Sequence, residues 1–519
     1  MSNQPFTKPD FSPIRAALWP IYNEEMKKFI PMGLIMLCIL FNYTILRDTK
    51  DTLIATGAGA GPEAIPYLKS IFVMVFAIGF VVLYAKLSNI FSQERLFYII
   101  VSSFLGFFGA FAYIIYPNIE ALHPNLDAVH ALQEQFPRFK FLFSVWGVWT
   151  YSLFYVLSEL WGSVMVSLLF WQFANEIVRS SEAQRFYPLF VLIGNIALIL
   201  SGTAVQEFSD IRQHLPAEVD AWGVSLNYLT GALLVSGILA MAIYRWMYQN
   251  VLSDPKYYDA AAEKTPKKKK PKLGVLESFK YIFSNPYIGL IALLVLSYGM
   301  SINLIEIIWK KQLAIQFAGD PNGYNAFMGG FSRATGAATI GIIFLTKGVI
   351  RKFGWFAGAV ATPAVLAITG GLFFSLILFG DLFNPIVLGL GFSTTYMAVI
   401  VGATQNIFTK GTKYALFDPT KEMAYIPLDQ ELKVKGKAAV DVIGGRLGKA
   451  AGGWSLMTIF FLLAAKDAMV VAPYLGFIIG AVVVAWIFGV SALARKYNAL
   501  TDEKDKELKS QSRPQKEAA

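Results

Sequence analysis

Cysteine is almost missing from this chain. Of 519 residues only Cys38 carries a thiol, and it lies in an apolar run, so no disulfide framework and no thiolate metal cluster can form. Histidine is nearly as scarce. His123, His130 and His214 all fall in polar connections; the seven-residue spacing of His123 and His130 leaves a surface zinc pair as the one metal reading, against the plainer one of loop residues. Charge is low as well: 15% of residues are charged, where soluble proteins carry about 25%. The G-x-x-x-x-G-K-[ST] phosphate loop, HExxH and GxSxG are all absent, which speaks against ATP-driven pumping and against hydrolytic chemistry. A soluble enzyme, a secreted disulfide scaffold and a β-barrel are excluded by the same composition.

What the chain has instead is apolar length. Hydrophobic residues make up 55%, the mean hydropathy is +0.50, and long uncharged runs recur from end to end. About 20 apolar residues suffice to cross roughly 30 Å of hydrocarbon as a helix. The runs predict an all-α membrane protein with twelve transmembrane helices, near 29–56, 65–86, 96–116, 141–174, 186–206, 222–249, 286–312, 326–347, 354–379, 384–408, 440–465 and 469–494. The run 141–174 is read as one long tilted helix. With residues 1–28 inside, most of the 45 lysines and arginines fall in cytoplasmic segments, as the positive-inside rule requires. Pro5, Pro9, Pro13 and Pro20 make residues 1–28 a cytoplasmic lead-in, not a signal peptide. The polar stretch 250–285, with Lys267 to Lys270 between two prolines, reads as a solvated linker, or alternatively as an anionic-lipid patch. It divides the chain into two six-helix halves, 29–249 and 286–494, before a cytoplasmic tail at 495–519. That is the major-facilitator-like arrangement, in which halves rock about a midplane site.

Ionisable groups inside spans are costly, so they line an aqueous path or pair with one another. Arg47 and Lys50 are three apart on one helical face, with Asp48 and Asp51 beside them; a snorkelling edge cluster and a substrate site are both open readings. Glu159 sits mid-span, too deep to snorkel. Glu306 and Lys310 are spaced as an ordinary i,i+4 pair, with Asn303 one turn before. Arg333 stands among Gly329, Gly330 and Gly336, which permit close helix packing, and calls for an anionic partner or substrate. The segment KGKAAVDVIGGRLGKAAGG carries Lys437, Asp441, Arg446 and Lys449 beside glycines at four-residue spacing. Cations outnumber carboxylates in this set, which suits a polyanionic substrate.

Three stretches carry a family resemblance: NYTILRDTKDTLI at 42–54, SELWGSVMVSLLFWQFANEI at 158–177, and KYALFDPTKEMAYIPLDQELKVKGKAAVDVIGGRLGK at 413–449. The chain resembles the nucleotide transporter family of plastids and obligate intracellular bacteria, the non-mitochondrial ATP/ADP translocases. The resemblance implies import of external ATP against internal ADP, with phosphate as a candidate co-substrate. It carries the family's important charges onto Lys50, Glu159, Glu306 and Lys437. Arg446, Arg47, Asn303, Lys310 and Arg333 join the candidate substrate site on the electrostatic argument. Lys50, Lys437 and Arg446 are expected to neutralise the phosphates, while Glu159 and Glu306 hold those cations when the site is empty.

No cofactor, metal or nucleic acid is expected. The partners are ATP, ADP and the lipid bilayer, and the functional unit is expected to be a monomer. The short lead-in favours a bacterial inner membrane over a plastid envelope. Family members that import nucleotides with protons, or exchange them with broad specificity, form the alternative. A membrane enzyme or a scaffold accounts for the buried charges less well.

Overall fold

In the computed structural model the described residues are 19–254 and 282–512, save 347 and 443–447, together with 11, 12, 15, 257 and 280. The lysine run 267–270 and Arg446 therefore lie outside the described residues. Every regular element among them is helical. Ten helices are long and apolar enough to cross a membrane. They are α1 Asn23–Thr56, α2 Pro62–Ile90, α3 Gln93–Leu122, α4 Trp149–Ile177, α5 Ser181–His214, α6 Ala221–Asn250, α7 Pro286–Gln316, α8 Pro321–Leu345, α9 Val349–Leu378 and, last in the chain, Ala468–Glu503. Between α9 and that last helix lie α10 Gly380–Gly389, α11 Thr394–Met423, α12 Gln430–Val442 and α13 Gly448–Leu463; Ala468–Glu503 is thus α14. The α10–α11 pair, bent by 94°, makes an eleventh candidate span, and α13 contains a shorter apolar helix.

Local sequence explains where helices start. Asn285 accepts hydrogen bonds from the amides of Tyr287 and Ile288 ahead of α7, with Pro286 at its first position. Asp320 does the same for Gly323 before α8, followed by Pro321. Such caps satisfy amides that no helical carbonyl can reach. Two sequence expectations are corrected. The run 141–174 is not one helix: Lys140–Gly147 is broken from α4 at Val148, whose backbone leaves the helical region. The buried Ser152 hydroxyl donates to the freed Val145 carbonyl at 2.8 Å, which stabilises the break. The run 384–408 is likewise bent, not straight. Gly391 takes a left-handed φ of 82°, and Ser393 then caps α11 by accepting from the Tyr396 amide.

The helices before and after the connection at 250–286 meet along α5 and α8. A Cβ on Gly202 would lie 2.5 Å from both the Gly329 carbonyl oxygen and the Arg333 amide, and one on Gly336 would lie 2.7 Å from the Asn195 carbonyl. Only glycine allows backbones this close. Further contacts between the two sets run from the middle of the bundle to the end away from that connection, hereafter the far end. There Glu63 takes Lys311 at 2.8 Å and the Ala468 amide at 2.9 Å. Lys140 reaches the Lys466 carbonyl, Phe141 packs on Phe460, and Arg212 pairs with Asp320.

Candidate functional site

The last two turns of α1 carry the charges that organise the centre. Residues three and four apart share a helix face, so Arg47, Lys50 and Asp51 point into the bundle together. Lys50 reaches Asp51 at 2.8 Å and Glu159 of α4 at 3.1 Å, and its ammonium lies 3.9 Å from the centre of the Tyr155 ring. Asp51 also takes Lys310 of α7 at 2.8 Å. Lys310 in turn holds Glu306 at 2.8 Å, and Glu306 meets Lys69 of α2 more loosely, at 3.8 Å. Cations and carboxylates therefore alternate along one chain, Glu159–Lys50–Asp51–Lys310–Glu306–Lys69, whose formal charges cancel. Arg47 pairs with Asp48 at 3.0 Å, and both bind the Ser332 hydroxyl of α8 at 2.6 Å.

Burial makes this arrangement consequential. The Lys50 and Lys310 side chains are each 1% exposed and Asp51 3%. Charges withdrawn from water to this degree persist only when paired and hydrogen-bonded. Three helices carry stretches of π-helix at or beside these groups: Leu68–Phe72 contains Lys69, Gly162–Phe170 follows Glu159, and Lys413–Phe417 follows Lys410. Each such stretch widens the helix turn and turns the side chains after it, a device common at functional sites.

Of the residues singled out from sequence, the structure brings Lys50, Glu159, Glu306 and Lys310 into one network and sets Arg47 beside it. Asn303 joins Lys69, Glu306 and Lys310 around a cavity of about 30 Å³, room for roughly one or two waters. Lys437 stands apart, paired with Glu422 at the end from which the 250–286 connection leaves. Arg333 also stands apart. It lines a separate cavity of about 320 Å³ between α5 and α8, with Gln206, Asp210 and Arg212. His123, read as a loop residue, bonds Thr150 at 2.6 Å, and no group able to hold a metal occurs among the described residues.

Sequence reasoning passed over four groups. Asp51, read as a local neutraliser, is the bridge between α1 and α7. Lys69 and Lys410 were not singled out, and neither was Glu63, the far-end tie. The rule that exposed Glu159 applies equally to Lys69, an ionisable residue inside an apolar run. The ammonium of Lys410 of α11 sits 5.1 Å from the centre of the Phe331 ring, beside the Ser332 that Arg47 and Asp48 bind.

Ten helices long and apolar enough to cross a membrane, around a neutralised charge network, define the class: a multi-pass membrane protein. The fold agrees. The crystal structure of the nucleoside transporter NupG matches with a TM-score of 0.53 over 89% of this chain and 99% of that one, at 11% identity. A bacterial homologue of the iron transporter ferroportin also scores 0.53, over 91% and 99%, at 13% identity.

Residues 5–497 match the model of the TLC ATP/ADP transporter family, and this chain belongs to that family. It is 48% identical to ADP,ATP carrier protein 1 of Chlamydia muridarum over 96% of this chain and 94% of that protein. It is 47% identical to the chloroplastic ADP,ATP carrier protein 1 of Arabidopsis thaliana, over 93% and 76%. The identity to ADP,ATP carrier protein 1 of Rickettsia prowazekii is 40%, over 95% and 98%. These relatives are named as carriers, and the chain is a membrane transporter, not an enzyme.

Proposed function

We propose that this protein is an ATP/ADP antiporter that imports host ATP against bacterial ADP by alternating access, with phosphate as a further counter-substrate. The observation that carries this reading is the charge network joining α1, α2, α4 and α7, within a chain at 40% to 48% identity to ADP,ATP carriers. Twelve spans in two six-helix halves follow if the bent α10–α11 pair and the α12–α13 region each make one crossing. Both termini then lie on the side of the 250–286 connection, which its lysines make cytoplasmic, in a bacterial inner membrane. The protein works as a monomer within the bilayer.

The network supplies a reason for exchange. When the centre is empty, Glu159, Asp51 and Glu306 hold Lys50, Lys310 and Lys69, and the halves are tied through α7. A polyanion entering from the connection side competes with those carboxylates for the cations, loosening the ties so that the halves can rock. Lys437 adds positive charge at the connection end, Arg47 and Asn303 complete the candidate site beside the network, and Arg446 stays a candidate on its charge alone. ATP⁴⁻ inward against ADP³⁻ outward moves one net negative charge inward. Against an inside-negative potential that costs about 2.3 kcal/mol per 100 mV, unless phosphate leaves with ADP and offsets it.

Uptake of labelled ATP into proteoliposomes loaded with ADP, with phosphate, or with buffer tests this directly. Uptake that requires internal ADP, and that Lys50→Ala abolishes while still inserting in the membrane, is the expected result. Equal uptake into buffer-loaded vesicles would replace exchange with net import, and proton coupling would become the question.

A further inference from the structure

The cations of the central network differ sharply in how far their charge is already spent. Lys50 contacts two carboxylates within 3.1 Å and a tyrosine face; Lys310 contacts two carboxylates at 2.8 Å. Both are 1% exposed, so an arriving phosphate finds no open path to either ammonium. Lys69 is different. Its side chain is 30% exposed, and its one ion-pair partner among the described residues, Glu306, stands at 3.8 Å, beyond hydrogen-bond length. Lys410 goes further: among the described residues it makes no ion pair, and its ammonium rests against the Phe331 ring instead. A cation held by a ring face keeps its N–H donors available to a stronger acceptor.

We propose that Lys69 and Lys410 make the direct contacts to the substrate's phosphates, with Glu306 as the internal competitor that they release. This rests on the carrier reading above and names the contact residues within it. Lys69 belongs to α2 and Lys410 to α11, on opposite sides of the 250–286 connection; Lys69 faces Glu306, and Lys410 lies against Phe331, whose ring packs on Trp309, the neighbour of Lys310. A di- or triphosphate touching both therefore bridges the two sets of helices, whereas a monophosphate, with less charge and a shorter span, competes with Glu306 less well. Lys50 and Lys310 then serve as positioning residues: they fix Asp51 and Glu306 and contribute field, not first contact.

The test is a ligand-dependent thermal-shift titration of the purified full chain with ATP, ADP and AMP, for the parent and for Lys69→Gln, Lys410→Gln, Lys410→Arg and Glu306→Gln. Each lysine-to-glutamine variant is expected to raise the apparent Kd for ATP roughly tenfold or more, the scale of one charge-assisted hydrogen bond. ADP should follow, AMP should change less, and Lys410→Arg should recover most of the ATP affinity. Glu306→Gln removes the competitor and should tighten ATP binding several-fold while slowing exchange; damaged packing would move affinity the other way. The assignment is overturned if Lys69→Gln and Lys410→Gln bind ATP as the parent does, or if Glu306→Gln weakens ATP as they are expected to. A parent protein that no nucleotide stabilises overturns the carrier reading itself, and the assignment with it.

Discussion

Asp51→Asn removes one negative charge from the centre of the network and changes almost nothing in volume. In the parent, Lys50, Lys310 and Lys69 balance Asp51, Glu159 and Glu306, with Asp51 held at 2.8 Å by both buried lysines. The variant leaves one net positive charge where both lysines are 1% exposed. Removing one partner of a buried ion pair destabilises by about 3–5 kcal/mol. Here Glu159 and Glu306 remain to hold the two lysines, which places the expected loss near the lower end, about 3 kcal/mol. The assay is equilibrium unfolding of the purified protein in mixed detergent–SDS micelles, alongside ATP uptake into ADP-loaded vesicles. Asp51→Asn should unfold at lower SDS and lose exchange. Adding Lys310→Met, which removes the surplus cation, should restore much of the stability but not the exchange. Were the single variant as stable as the parent, or the double variant less stable than the single, charge balance would not be what holds α1 to α7.

Three further outcomes follow from other contacts. Glu63→Gln weakens the far-end tie to Lys311, so a cysteine placed at Phe141 should react faster with an impermeant maleimide; the buried Cys38 keeps the background low, and unchanged labelling would remove the tie from the gating account. Gly202→Leu has no room, because even a Cβ would lie 2.5 Å from two backbone atoms of α8; it should separate α5 from α8, destabilise by several kcal/mol in the same SDS titration, and abolish exchange. Gly391→Ala forces a side chain into a left-handed backbone at φ 82° and should cost about 1–2 kcal/mol with uptake largely retained.

The helical class and most spans were legible because bilayer thickness leaves so few choices: an uncharged run of sufficient length must be a crossing. The bends were not. Val148 and Gly391 break runs whose hydropathy is continuous, and only the hydroxyls of Ser152, donating back to the Val145 carbonyl, and Ser393, accepting from the Tyr396 amide ahead, mark the places. In the site, Lys50, Glu159, Glu306 and Lys310 were legible one by one as misplaced charges, but their partners were not. Asp51 adjoins Lys50 in sequence, which invites a local reading, yet its second oxygen crosses to α7. The π-helical stretch at Leu68–Phe72 shifts the phase of α2 around Lys69, and a 3.6-residue periodicity cannot assign such a side chain to a face. Arg333 shows the reverse failure: a charge in a span satisfied the same rule and lies by a different cavity.

The distribution of ties bears on why an empty carrier of this design would be slow to turn. Among the described residues the ion pairs between the halves lie from the centre to the far end: Asp51–Lys310 and Lys69–Glu306 in the middle, Glu63–Lys311 and Arg212–Asp320 beyond. Opening the far end requires the outer pairs to part, and the central pairs resist that motion as long as no other anion takes their place. A bound nucleotide offers oxygens to which Lys69 can donate in exchange for Glu306, so the loss of one pair is offset by the gain of another. Without substrate, the same step leaves buried charges unmatched, and each costs several kcal/mol. At about 1.4 kcal/mol per tenfold in rate, a single unmatched charge of about 3 kcal/mol slows the empty return roughly a hundredfold. On the proposed antiport reading, strict exchange would need no dedicated lock, because the penalty for returning empty would arise from the same carboxylates that keep the lysines buried.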